Sequence, residues 1–286
     1  MDRALDIATG KVVDAEELWL LDQSDLSRFQ CVSCGVDLLP AAFGAETTRK
    51  RPYFRLERLG ARNAPDCQMA AYKDLVTRAR RERIPVEDLR RCDAMPTRAK
   101  LGSSETLLGR DNDPSLRRIA AAYCDFPNNR DHPLRIAGVA GHTYATVIQR
   151  LATKEVVRYA GSSIWFGRAA WRSRPTESNS TYEIPLAEGG AGVRAQRPYR
   201  VRVHWFSWNP SARLALMREF EALLQEYLSN RIGRQNAPWV FFAGEQDATD
   251  ASLFHVSDYH HICTRYAAID LMKSQVGGTG LVRARG

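Results

Sequence analysis

Two cysteines separated by two residues, Cys31 and Cys34 in FQCVSCG, are followed by a third, Cys67, in APDCQMAAYKDL. This pattern constrains the fold more than any other feature of the chain. A structural zinc ion takes four thiolate or imidazole ligands in a tetrahedron, and a CxxC pair reaches one ion when the chain between the cysteines turns tightly. Gly35, directly after the pair, permits such a turn. Six cysteines in 286 residues are too sparse for a disulfide scaffold, so the pair reads as metal or redox chemistry. No thioredoxin-like strand and helix follow it, which disfavours the redox reading. The expected cofactor is a structural Zn2+ ion on Cys31, Cys34 and Cys67, with Cys92 as the fourth ligand. The alternatives for that position are Asp66 or a residue distant in sequence. A ribbon fold with an incomplete or absent metal also stays open. Cys124 and Cys263 stand among apolar and aromatic neighbours, AAAYCDF and HHICTRY, and read as small core residues.

The charge balance points to a polyanionic partner. The chain carries 41 Lys and Arg against 33 Asp and Glu, a formal net charge of +8, and arginine suits planar two-point contact with phosphate. No run reaches the roughly 18 apolar residues of a membrane-spanning helix. The opening MDRALDIATGKVVDAEEL places acids where a signal peptide would be apolar. The expectation is a cytoplasmic protein without a membrane partner.

The patterning predicts an α+β chain. A zinc-ribbon-like module with a helix occupies 1–84, a basic connector 85–118, a β-rich α+β body 119–275 and a flexible tail 276–286. In the module, a turn at Thr9-Gly10 joins two extended segments, and RPYFRLER supplies a strand. A helix begins near Asp66, with Met69, Tyr72, Leu75, Val76 and Ala79 at helical spacing, and ends by Pro85. YCDF, PLRIAGV, HTYATVIQRL, VVRYAGSSIWFG, TYEIPL and PYRVRVHWFSW read as short strands, the ingredients of a small OB-like barrel. RVRVHW alternates, with Arg200, Arg202 and His204 on one face and Val201, Val203 and Trp205 on the other. One long amphipathic helix follows, capped by Asn209, with Pro210 in its first turn and Gly233 beyond its end. Leu214, Met217, Phe220, Leu224 and Leu228 are its expected buried stripe. PWVFFAG reads as a buried strand.

The segments FQCVSCGVDLLPAA, RPYFRLER and APDCQMAAYKDL together resemble the N-terminal zinc-ribbon-like region of bacterial competence-protein CoiA-like proteins, over about the first 80 residues. The family pattern runs from a CxxC knuckle to a His-Phe-x-His strand. This chain has Tyr53 and Leu56 on that strand, and its first histidine is His132. The resemblance implies a bacterial protein and a nuclease-like segment after the ribbon, with Lys73 at the family's lysine position and Tyr72 where a histidine would stand.

Three functional readings follow. The first is a non-catalytic nucleic-acid-binding protein, a component of a DNA- or RNA-processing or defence assembly, with single-stranded nucleic acid favoured. Its candidate contacts are Arg78, Arg80, Arg81 and Arg83 at the start of the basic region, together with Trp165, Arg168, Trp171, Arg172 and Arg174, where rings interleave with arginines as base stacking requires. The opposing reading of that second group makes Trp165 and Phe166 core residues. The second is an interaction subunit that docks a protein partner. The third is a metal-dependent nuclease built from Glu87, Asp88, Asp93 and Lys100, without the strand-borne Asp and Glu-x-Lys spacing such enzymes use. GxxxxGK, GxGxxG and GxSxG are absent, which removes common nucleotide-binding and hydrolase readings. His255, Asp258, His260 and His261 form the densest ionisable group and read as structural, with no catalytic residue assigned.

Overall fold

The computed structural model describes residues 1–20, 28–44, 51–57, 64, 66–99, 114–170, 173–189, 198–230 and 236–269. Within them the chain is mixed α+β. The N-terminal part is an antiparallel sheet in the order β2-β1-β3-β4-β5, built from β1 (Arg3–Asp6), β2 (Lys11–Asp14), β3 (Phe29–Gln30), β4 (Asp37–Ala41) and β5 (Tyr53–Leu56). Gly10, at φ +68°, closes the expected β1–β2 turn in a conformation that side chains with a Cβ adopt at a cost. One face of the sheet buries Ala4, Phe29, Leu38 and Phe54, with the Phe29 and Phe54 rings 5.2 Å apart. That core is small, because strands of two to five residues each offer only one or two inward side chains.

Helix α1 (Gln68–Ala79) follows, with Met69, Leu75 and Ala79 buried as its spacing predicts. Pro85 then caps α2 (Val86–Arg91), so the expected connector contains a helix and strand β6 (Arg98–Ala99), which pairs in parallel with β7 (Arg135–Ile136). Leu89, Cys92, Ala94 and Met95 of this segment lie in the same core as Phe166 and Phe241. YCDF is not a strand. It closes α3 (Leu116–Asp125), where Ser115 caps the helix by accepting from the Arg118 N–H at 3.2 Å and Ile119, Ala120, Tyr123 and Cys124 are buried. Short alanine side chains and helical apolar spacing outweigh the strand preference of the aromatic ends. A single-turn helix, α4 (Tyr144–Val147), likewise opens the HTYATVIQRL segment.

Two further sheets form the body. One has the order β16-β13-β9-β8, from β8 (Ile148–Arg150), β9 (Ile164–Arg168), β13 (Ala237–Ala243) and β16 (Ile262–Ala267). The other has the order β10-β11-β12-β15-β14, from β10 (Thr176–Glu177), β11 (Thr181–Pro185), β12 (Arg200–His204), β14 (Glu245–Gln246) and β15 (Leu253–Val256). Both are open, and no sheet among the described residues closes into a barrel, so the OB-like expectation is not met there. β13 is buried along both faces: Trp239 and Phe241 point to α3, while Val240 and Phe242 point to the second sheet and the long helix. A strand covered on both sides reads as a continuous apolar run, which is why PWVFFAG was legible.

The long helix, α5 (Pro210–Ser229), is capped by Asn209, which accepts from the Ala212 N–H at 2.7 Å. Its buried face differs from the expected stripe. Ala212, Ala215, Leu216, Glu219, Phe220, Ala222 and Leu223 face the core, while Leu214 and Leu228 are exposed. Three alanines let the helix approach the sheets closely, and the acid among them has partners that make its burial tolerable.

Candidate metal centre and the charged surfaces around it

β3 delivers Cys31 into a knuckle before β4. The Cys31 N–H donates to the Val36 carbonyl at 2.8 Å, and the Gly35 N–H donates to the Cys31 carbonyl at 3.0 Å. Gly35 sits at φ +69°, as the tight turn requires. Cys67 arrives from the other side as the N-cap residue of α1, where its carbonyl accepts from the Ala70 and Ala71 N–H groups at 3.1 and 3.2 Å. The Ser33 hydroxyl accepts from the Gln68 N–H at 3.0 Å, locking the first turn of the helix onto the knuckle.

These elements bring Cys31, Cys34 and Cys67 together. Their sulfur atoms lie within 4.8 Å of one another, and the Cys31 and Cys67 sulfurs are 3.7 Å apart. A tetrahedral zinc with Zn–S bonds of about 2.3 Å has an S–S edge of about 3.8 Å, whereas a disulfide needs about 2.05 Å. The spacing fits three ligands of one ion, and none of the three cysteines is in a disulfide. Burial, opposed by the Cys34 and Ser33 N–H groups and reinforced by the neighbouring thiols, pushes the Cys31 thiol up to about 11. At Cys34 burial also raises the pKa, but it is outweighed by hydrogen bonds from the Val36 and Ala64 N–H groups and from the Cys67 and Cys31 thiols, so the group falls below its ordinary value. The Val36 and Ala64 N–H groups favour the thiolate form of Cys34, the form in which a cysteine binds a soft divalent ion.

Cys92 does not join the group. It caps α2 and is buried in the core shared with Leu89 and Met95, whereas Cys31 and Cys67 belong to the core of the N-terminal sheet. Asp66 is also outside the close group. Cys124 and Cys263 are core residues, with thiols raised to about 12 by burial.

The expected nucleic-acid contacts separate into three sets. Arg78, Arg80, Arg81 and Arg83 are exposed at the end of α1 and the turn into α2. Arg78 pairs with Glu82 at 2.6 Å and with Asp88 at 3.6 Å, and Arg83 pairs with Asp131 at 2.6 Å. Arg80 and Arg81, together with the exposed Arg90 and Arg91 of α2, make no ion pair among the described residues. Burial and the nearby Arg90, assisted by Arg83 and opposed by Asp131, push His132 below the ordinary histidine value.

Trp165, expected as a stacking ring, is buried. It is 2% exposed, with its ring 4.4 Å from Tyr159 and 5.8 Å from Phe254, and it cannot stack on a base from that position. Strand alternation on a two-sided strand turned it inward. Arg168 is half exposed and engages the fully buried Glu188 at 3.3 Å, which Arg150 contacts at the same distance. Arg174 is exposed, and Trp171 and Arg172 lie outside the described residues. Of the nuclease set, Glu87 is exposed, Asp88 is held by Arg78, Asp93 is paired with Arg118 and Lys100 lies outside the described residues. Among the described residues the cysteine group is the one cluster of three or more potential ligands gathered at ion-binding distance.

A second polar arrangement escaped the sequence reading. His255, on β15, shares a hydrogen bond with Asp247 (Nε2 to Oδ2, 2.9 Å) and another with His204 of β12 (Nδ1 to Nε2, 2.8 Å). The other oxygen of Asp247 accepts from the Thr249 N–H and hydroxyl and from the Asp250 N–H, each at 2.8 Å. Those bonds hold the Asp247 carboxyl well below the usual range. With Asp247 ionised and the His255 ring in its neutral form, His255 donates to Asp247 through Nε2, accepts from His204 Nε2 through Nδ1, and leaves His204 Nδ1 as an acceptor. His260 and His261 lie elsewhere, in a 3-10 turn whose cap is Asp258.

No family model, curated protein or solved structure matches the chain. The resemblance to CoiA-like proteins rests on the residues quoted for it.

Proposed function

We propose that the protein binds nucleic acid, without cutting it, through the arginine-rich corner where α1 turns into α2, and that a structural zinc ion on Cys31, Cys34 and Cys67 fixes the helix that carries this corner. The observation behind it is the set Arg80, Arg81, Arg90 and Arg91: four exposed guanidinium groups, two in the turn that ends α1 and two on α2, none in an ion pair among the described residues. Surface arginines that serve only solubility are commonly balanced by acids, as Arg78 and Arg83 are here. Unbalanced, clustered guanidinium groups suit phosphate oxygens spaced along a backbone. The metal enters as a support. Cys67 is the N-cap of α1, so an ion shared by Cys67 and the knuckle anchors the start of the helix.

The test is fluorescence anisotropy with single-stranded DNA and RNA oligonucleotides across a salt series. Replacing Arg80, Arg81, Arg90 and Arg91 by alanine lowers affinity for both and flattens the slope of log K against log salt by about 0.7 per lost contact. An unchanged affinity and slope would remove this corner as the site, and the interaction-subunit reading would take its place.

A further inference from the structure

A cavity of about 450 Å³ lies where β1, β2, α1, α3 and β16 meet, and charges of both signs line it. Its acids mostly have partners. Asp14 accepts from the Ser115 hydroxyl, Glu16 is 3.6 Å from Arg51, Asp93 is paired with Arg118, and Asp125 accepts from the Tyr72 hydroxyl at 3.0 Å. Asp2, the remaining acid of the lining, is exposed. Of the cations, Arg118 pairs with Asp93 and Arg3 lies 4.0 Å from the same carboxylate. Arg265 donates to the Arg117 carbonyl at 3.3 Å, and neither Arg265 nor Lys73 is within 4 Å of a carboxylate among the described residues, although both line the space. Arg117 is 6% exposed, spends Nη1 on Glu219, and leaves Nη2 without a hydrogen-bond partner among the described residues. A buried guanidinium N–H left unpaired costs free energy that an anion in the cavity would recover. Met69 and Val76 from α1, Ala94, and Ala121 from α3 supply the apolar part of the wall. Tyr53, 39% exposed, and the exposed Lys73 mark the open side.

We infer that this cavity binds a small aromatic monophosphate of nucleoside-monophosphate size, with its phosphate on Arg117 and Arg265 and its ring between Tyr53 and the Met69–Val76 wall. The volume falls within the usual 300–1,000 Å³ range of small-ligand sites. Two guanidinium groups on one wall, with the Tyr53 ring and the Met69–Val76 wall on another, give such a molecule an orientation that a bare anion or a neutral nucleoside would lack. The inference is independent of the arginine corner, which lies beyond the other end of α1.

Isothermal titration of the full chain with adenosine 5′-monophosphate tests it, with adenosine and inorganic phosphate as controls. The expected result is saturable binding of the nucleotide, with each control at least about tenfold weaker, the value of one charge-assisted hydrogen bond or one buried ring. Arg265→Gln weakens nucleotide binding by about tenfold or more. Ala121→Trp, which fills the cavity without removing a charge, abolishes it while leaving oligonucleotide binding at the arginine corner intact. Circular dichroism confirms that both variants are folded, and Lys73→Ala, at an exposed position, weakens binding without a folding cost. No saturable binding of the nucleotide, equal binding of adenosine, or parent-like binding by Ala121→Trp would each overturn the inference.

Discussion

Arg117 Nη1 donates to Glu219 Oε2 at 2.5 Å, joining α3 to α5 through two side chains that are almost entirely shut off from solvent. The other Glu219 oxygen accepts from the Thr264 N–H of β16 at 2.6 Å, and Arg51 donates to the Thr264 hydroxyl at 2.7 Å. Both carboxylate oxygens are thus satisfied, one by α3 and one by β16.

Removing one partner should be far worse than removing both. Glu219→Leu leaves Arg117 charged, buried and unpaired, and is expected to cost about 3–5 kcal/mol in urea denaturation. The double variant Arg117→Met, Glu219→Leu should recover more than half of that loss, because no buried charge remains without a partner. Equal destabilisation of the single and double variants would show that the pair's worth lies in packing alone.

Trp165 separates a core role from a binding role. Its burial between Tyr159 and Phe254 predicts that Trp165→Ala costs about 3–5 kcal/mol of stability, as large aromatic deletions do. Oligonucleotide affinity, measured at a temperature where the variant is folded, should be unchanged. A stable variant with weakened binding would place the ring at the interface.

The pH response of the His204–His255–Asp247 chain has a definite sign. Burial first, then the nearby His255 and Arg202, hold His204 below the ordinary histidine value. Glu183, which Arg202 contacts at 2.8 Å, faces the same side of the sheet. A histidine lowered on folding contributes stability above its unfolded pKa of about 6.5, and that contribution is lost as pH falls through this region, because the unfolded chain takes the proton first. Asp247, lowered by its Asp250 N–H bond first and then by His255 and Thr249, behaves likewise at lower pH: its contribution is present above the unfolded carboxylate value and lost as pH falls. NMR titration should place the His204 midpoint below 6.5 or so, and His255→Asn should move it upward. A midpoint at or above the unfolded value would contradict the arrangement.

Much of the fold was legible where one pattern dominated. Cys31, Cys34 and Gly35 specified a knuckle, the alternation of RVRVHW put Val201 and Val203 inside, and Asn209-Pro210 fixed the start of α5. The misreadings share a cause: facts that depend on distant partners. Glu219 looks like a solvent-facing residue until Arg117 and Thr264 are placed beside it, and that hid the true face of α5. His204 and His255 are 51 residues apart and meet because β12 and β15 pair in parallel, a register that no local spacing encodes. Cys92 shared a residue type with the metal group, but its neighbours Leu89 and Met95 drew it into another core. Trp165 carried aromatic and arginine neighbours of either a stacking surface or a two-sided strand, and only the packing of β9 against β13 chose between them.

Cys31, Cys34 and Cys67 meet between the knuckle and the N-cap of α1, in a module whose own core is small, so an ion shared by them would organise that module. Elemental analysis of the full chain purified without added metal tests this directly, alongside Cys31→Ser and Cys67→Ser. The account predicts about one zinc per chain, lost in both variants, with a chelator lowering the thermal stability of the N-terminal sheet while the body stays folded. Zinc below about a tenth of an equivalent, or a chelator-treated chain that melts like the parent, would contradict it.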